Sequence, residues 1–209
     1  MNLLIFDMDG VILDSEPLHD RARRRLFKEF NITEDERLPD PVGASAPERW
    51  RLICELFHLD KDPIAIARYQ FECVVEYVKE MNLPCTKGLI ETLDEAKKRG
   101  ITLALASSSP KWMVEEVLDY YGIIDYFKVI ATADNVTKRK PDPQIYEFVL
   151  KKAGFKPEES AAIEDSQAGI LSAKAARIYC FAYKGENAVW QDQSASDKVI
   201  HDLREIFER

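Results

Sequence analysis

The chain has 209 residues, of which 46% are hydrophobic and 32% charged. That suits one globular domain, or a core domain with a small insert, and excludes a disordered chain because apolar residues run throughout. A formal net charge of −8 excludes nucleic acid as the default partner, since such binding leans on Lys and Arg neutralising phosphates.

No apolar run approaches the length of a membrane span, so no membrane association is expected. The N-terminal stretch Met1 to Phe6 has no basic region ahead of its apolar run and does not read as a signal peptide. Cys54, Cys73, Cys85 and Cys180 show neither C-x-x-C spacing nor a zinc-like pattern with His. Free, mostly buried thiols in a cytoplasmic protein are expected, with a monomer as the default.

Leu3 to Phe6 is a continuous apolar run ending at Asp7, the pattern of a buried parallel strand. Similar runs are Ile101 to Ala106, Val129 to Ala131, Ala161 to Ile163 and Ile178 to Ala182. Helical segments are predicted between most of them. Leu89 to Arg99 stops at Gly100. Ser109 is read as a cap with Pro110 in the first turn of a helix running to Tyr121. Asp142 and Pro143 repeat that start signal before a helix ending at Gly154, and Ala168 to Ala176 is another candidate. Near the C-terminus, Val199 and Ile200 suggest a short strand before a helix holding Leu203 and Phe207. This alternation predicts an α/β fold with a doubly wound parallel sheet.

Residues 16–83 break the alternation. Leu18, Ala22, Leu26 and Phe30 recur at helical spacing, as do Trp50, Ile53, Cys54 and Phe57. Ile66, Gln70, Cys73 and Val74 match the pattern less well. An all-helical insert over 16–83 is expected, within a core made of 1–15 and 84–209, with hinges at Asp14-Ser15 and near Leu83-Pro84.

In an open parallel sheet, ligands bind beyond the carboxyl ends of the strands. Asp7 and Asp9 follow the first run, Ser107 and Ser108 the second, and Glu164 and Asp165 the fourth. Lys140 lies in the loop after the third. Each has a plain structural alternative: a turn, a helix cap, a complement to a helix dipole, or a solvated lysine. Their joint placement at successive strand ends points to chemistry. Neighbouring carboxylates repel unless a cation neutralises them, and Mg²⁺ takes oxygen ligands such as Asp7, Asp165 and Glu164. A carboxylate can attack phosphorus, a second one at Asp9 can protonate the leaving group, and Ser107 and Lys140 suit the phosphoryl oxygens.

The stretch Asp7-Met8-Asp9-Gly10-Val11-Ile12-Leu13-Asp14-Ser15-Glu16-Pro17 resembles the first motif of the haloacid dehalogenase superfamily. Ser107, Lys140 in Lys140-Pro141-Asp142-Pro143, and Glu164-Asp165-Ser166-Gln167-Ala168-Gly169-Ile170 resemble its second, third and fourth motifs in the same order. The resemblance implies that Asp7 is the nucleophile and a metal ligand, and that Asp9 is the acid/base and offers its backbone carbonyl to the metal. It implies that Asp165 binds Mg²⁺ with Glu164 beside it, and that Ser107, Lys140 and the Ser108 N–H hold phosphate. The helical insert resembles the family's cap, which closes over substrate. Asp9 favours phosphoryl transfer, because the dehalogenating branch lacks that second Asp.

Within the superfamily the chain resembles the branch of β-phosphoglucomutase and small sugar-phosphate phosphatases, with Ser15, His19 and Gly43 fitting that branch. The mutase has an arginine just after the glycine. Here Ala44-Ser45-Ala46-Pro47-Glu48 follows, and Arg49 comes later. That difference favours a phosphatase acting on a small phosphorylated metabolite over a mutase. A non-catalytic phospho-acceptor is a third reading, disfavoured by Asp9 and the cap. Arg21, Arg23, Arg24 and Arg25 read as a solvated helix face, Trp50 as cap core, and His58 and His201 as structural.

Overall fold

The computed structural model describes residues 1–33, 38, 45–185 and 191–208. The chain divides into two compact units, one of Met1–Asp14 with Pro84–Arg209 and one of Ser15–Leu83.

The first unit is built on a six-stranded parallel sheet: β1 (Leu3–Phe6), β2 (Thr102–Ala106), β3 (Phe127–Ala131), β4 (Ser160–Glu164), β5 (Tyr179–Tyr183) and β6 (Lys198–Ile200). Their spatial order is β3-β2-β1-β4-β5-β6, so the order reverses beside β1. Ligands of doubly wound sheets bind at such a reversal. In register, Phe6 faces Leu105 on β2 and Ile163 on β4, which brings Asp7, Ser107 and Glu164 to one edge.

All four residues of β1 are fully buried, as expected of a strand covered on both faces. Leu3 and Ile5 share a core cluster with Ala104, Ala162 and Cys180 of the neighbouring strands. That cluster takes in Ile145, Tyr146, Val149 and Leu150 of α6 (Gln144–Ala153) and Ile170 and Ala173 of α7 (Gln167–Ala175). The alternating Phe6 meets Phe127 edge-on at 6.0 Å. Each fully buried Leu or Ile contributes about 1.5–3 kcal/mol.

The remaining helices of this unit are α4 (Leu89–Lys98), against β2, and α5 (Lys111–Tyr120). Two expectations shift here. The helix expected to start at Ser109 starts at Lys111, with Pro110 at its cap position and no side-chain cap bond. The C-terminal helix is a 3-10 segment, Leu203–Phe207, whose buried residues are Leu203 and Ile206, not Phe207.

The second unit contains α1 (Glu16–Glu29), α2 (Ala46–Phe57) and α3 (Pro63–Glu80). Leu26, Phe27, Trp50, Ile53, Cys54, Ile66 and Ala67 form its core. Trp50 donates from Nε1 to Gln70 Oε1 at 2.7 Å, so the polar residue on the buried face of α3 has a specific partner. Ser45 opens α2 with a reciprocal capping box to Glu48. The arginines of α1 are engaged on the surface: Arg23 and Arg24 with Asp20, Arg25 with Glu76, and Arg21 over the Tyr77 ring. Gly43, with Val42 and Ala44, lies outside the described residues. Among the described residues no helix is long and apolar enough to cross a membrane.

Candidate active site

Asp7 leaves β1 with its N–H still on the Ile163 carbonyl at 3.0 Å, so its backbone belongs to the sheet and its side chain is fixed at the sheet edge. The chain then turns tightly. The carbonyl of Met8 accepts from the amides of Val11, Ile12 and Leu13, and the Gly10 N–H donates to Leu13 O at 2.8 Å. Gly10 sits at φ +78°, and a Cβ there would run into the Asp165 carboxylate. Glycine is needed twice over, for the left-handed backbone and for the space. Gly169 in α7 plays a similar part, because a Cβ there would collide with the Glu164 carboxylate.

Lys140 reaches this edge from the loop after β3. The amides of Thr137 and Lys138 both donate to Gln144 Oε1, at 2.9 and 2.7 Å. The hydroxyl of Ser172 on α7 donates to the Asp142 carbonyl at 2.6 Å. The lysine is 8% exposed. Its ammonium donates to Asp7 Oδ1 at 2.6 Å, to Glu164 Oε1 at 2.6 Å and to the Ala106 carbonyl at 2.9 Å. The Tyr146 hydroxyl donates to the same Glu164 oxygen, and the Tyr146 ring lies 5.5 Å from the Lys140 nitrogen.

Ser107 is fully buried, with its amide on the Ala131 carbonyl at 2.9 Å. Its hydroxyl oxygen accepts the Ser109 N–H at 3.0 Å. Ser108 is exposed, and its carbonyl accepts from Arg139 at 3.4 Å. Asp9 accepts at Oδ2 from the Ser109 hydroxyl at 2.8 Å. Asp7, Asp9, Ser107, Lys140, Glu164 and Asp165 therefore belong to one edge of the sheet. Ser15 and His19 belong to the helical unit. Ser15 holds the cap position of α1, its carbonyl accepting the His19 N–H at 3.0 Å, and the His19 ring meets Phe71 edge-on at 5.9 Å. Arg49 lies in the first turns of α2.

The electrostatics of the edge are unbalanced. Four carboxylates, from Asp7, Asp9, Glu164 and Asp165, face one buried ammonium. Burial pushes the Asp7 carboxyl well above the usual range; Lys140 pulls it down, while Glu164, Asp165 and Asp9 push it up. Burial, then Glu164 and Asp9, push Asp165 up to about 7. Burial opposes the Lys140 charge, but Asp7 and Glu164 outweigh it and hold the ammonium above its ordinary pKa. Asp7, Glu164 and Asp165 each offer a carboxylate oxygen, all within 4.8 Å of one another. Glu164 Oε2 is buried, with no hydrogen-bond partner among the described residues. An oxygen-only donor set with excess negative charge fits a hard divalent cation.

Sequence reasoning missed two members of this edge. Tyr146 lies in the middle of an apolar helix pattern and reads as core. Ser109 reads as a helix cap, but its hydroxyl is engaged by a residue 100 positions away. The cysteines are free, with Cys54, Cys73 and Cys180 buried and Cys85 partly so. Burial raises all four thiols, which leaves them poor nucleophiles.

The family profile described as haloacid dehalogenase-like hydrolase matches residues 4–183. Hexitol phosphatase B of Escherichia coli (strain K12) is 34% identical over 183 residues, covering 83% of this chain and 79% of that protein. A phosphorylated carbohydrates phosphatase of Thermotoga maritima is 35% identical over 179 residues, covering 85% and 82%. The crystal structure of CbbY from Rhodobacter sphaeroides in complex with phosphate superposes with a TM-score of 0.84 at 27% identity, covering 99% of this chain and 96% of that one.

Proposed function

The chain belongs to the haloacid dehalogenase-like hydrolases, and on that footing we propose that it is a Mg²⁺-dependent phosphatase. Its substrate is a small phosphorylated metabolite, a sugar or hexitol phosphate, and the phosphoryl group is carried on Asp7. The observation that carries this reading is the convergence of Asp7, Glu164 and Asp165 around one potential cation position, with Lys140 bridging Asp7 and Glu164. The two similar phosphatases act, by their names, on a hexitol and on phosphorylated carbohydrates.

Asp7, Glu164, Asp165 and the Asp9 carbonyl would hold Mg²⁺, which would supply the charge that offsets repulsion between the Asp7 carboxylate and an anionic ester. In the first step an Asp7 carboxylate oxygen forms a bond to phosphorus. The bond to the leaving oxygen breaks, and that oxygen takes the proton of the Asp9 carboxyl. In the second step a water oxygen bonds to phosphorus and gives its proton to the Asp9 carboxylate. The bond between Asp7 and phosphorus breaks, and inorganic phosphate leaves. Lys140, turning the donor now on Asp7 to a phosphoryl oxygen, joins the Ser107 hydroxyl and the Ser108 N–H in holding the phosphoryl oxygens, where preorganised donors act on developing charge. In the helical unit, Ser15 and His19 are the proposed substrate contacts.

Phosphorus NMR of the protein with Mg²⁺ and a panel of sugar, hexitol and nucleoside monophosphates, with a trace of glucose 1,6-bisphosphate, tests the reading. Growth of inorganic phosphate, silenced by EDTA, is expected. Conversion of one ester into another without free phosphate would make the protein a mutase. Full activity in EDTA would sink the role given to the carboxylates.

A further inference from the structure

Ser109 follows β2 but does not cap the helix after it. It is buried, and three hydrogen bonds fix it. Its hydroxyl donates to Asp9 Oδ2 at 2.8 Å, its N–H donates to Ser107 Oγ at 3.0 Å, and its carbonyl accepts the Ala133 N–H at 3.1 Å. One residue thus joins the loop after β1 to the loop after β2.

Each bond has a chemical consequence. A serine hydroxyl has one proton and two lone pairs. Because Ser107 Oγ accepts the Ser109 N–H, its own proton is directed to another acceptor, which suits a hydroxyl that donates to a phosphoryl oxygen. Because Ser109 donates its proton to Asp9 Oδ2, the carboxyl of Asp9 is held in one rotamer. A group that must deliver a proton and then take one back works only within hydrogen-bond reach of the reacting oxygen.

We propose that Ser109 is a positioning residue, which holds the Asp9 carboxyl at the orientation proton transfer requires and ties that orientation to the phosphate-facing hydroxyl of Ser107. The inference rests on the phosphatase reading above. A serine that merely fills space beside Asp9 would affect both steps of turnover alike. A positioning serine affects the steps that need Asp9 and spares the one that does not.

Rapid-quench kinetics of the full chain with Mg²⁺ separates these cases. With p-nitrophenyl phosphate the leaving group departs without a proton, so transfer to Asp7 needs little help from Asp9, whereas attack by water still needs it. For Ser109→Ala the burst of nitrophenolate stays within about 3-fold of wild type. Steady-state turnover falls by roughly 10- to 100-fold, the scale known for outer-shell partners that orient metal ligands, and phosphoenzyme accumulates. With phenyl phosphate, whose leaving group is more basic, the first step slows as well. Ser109→Thr keeps the hydroxyl and recovers most of the hydrolysis rate. Equal slowing of both steps in Ser109→Ala, no slowing at all, or a Ser109→Thr protein as slow as the alanine variant would overturn the proposal. A wild type that neither releases nitrophenolate nor forms phosphoenzyme would overturn the phosphatase reading itself, and this inference with it.

Discussion

Lys140 directs all three of its ammonium protons inward, to Asp7, to Glu164 and to the Ala106 carbonyl. A buried lysine is costly unless its charge is met by well-placed acceptors, and here two carboxylates and a strand-end carbonyl meet it. Tyr146 completes the arrangement from below, with its hydroxyl on the Glu164 oxygen that Lys140 also uses. Hydrogen bonds to charged groups contribute more than neutral ones. Tyr146→Phe removes one such bond and leaves the ring in its core position, so a loss of roughly 1.5–3 kcal/mol is expected. Urea denaturation measures it. An unchanged midpoint would mean that Glu164 does not depend on the tyrosine. Neither Tyr146 nor Ser109 announces its role locally. The partner of Tyr146 is 18 residues on and that of Ser109 is 100 residues back, so only the folded sheet brings them together.

At the level of elements, the strands were legible because each is short, because β1, β2 and β4 are almost wholly buried apolar runs, and because a polar residue follows at or near each strand end. β4 runs one residue further at each end than expected, taking in Ser160 and Glu164. Lys140 and Tyr146 meet one oxygen of that buried carboxylate, Oε1. α3 gave a weak sequence signal because Gln70 interrupts its apolar face, yet it is an 18-residue helix. Gln70 belongs there as the acceptor for Trp50 Nε1. Gln70→Leu restores a continuous apolar face by pattern but strands the indole N–H, at a cost of about 1–3 kcal/mol. Thermal unfolding of the variant checks this, and a more stable protein would show that apolar continuity outweighs the indole bond. The start of α5 was misplaced because a Ser-Pro pair reads as a cap only while the serine hydroxyl has no better partner. The C-terminal segment, Leu203–Phe207, is too short for helical periodicity to tell an α-helix from a 3-10 turn.

For the whole molecule, the excess of carboxylates at the sheet edge couples folding to protons and, on the proposed function, to Mg²⁺. Asp165 is the clearest case, with its carboxyl pushed up to about 7 by burial, Glu164 and Asp9, against about 3.9 for an unfolded chain. Between these values the folded protein holds a proton that the unfolded chain has lost. The contribution of Asp165 to stability therefore falls as pH rises through about 4 to 7. In metal-free protein, Asp165→Asn is expected to gain stability relative to wild type as pH is raised from 5 to 8. Mg²⁺ is expected to raise the wild-type melting temperature more at pH 8 than at pH 5, because the ion and the proton compete for the same oxygens. Paired melting curves of the two proteins, with and without Mg²⁺, read this out. A difference between them that is flat in pH would contradict the account of the carboxylate cluster.

The central claim is that phosphate passes through Asp7. Rapid acid quench of the protein during turnover of a hexitol phosphate with Mg²⁺, followed by peptide mass spectrometry, tests it most directly. A phosphoryl group on the peptide carrying Asp7, absent in EDTA and absent from an inactive Asp7→Asn protein, is the predicted result. Turnover by Asp7→Asn, or a phosphoryl group on any other residue, would contradict it.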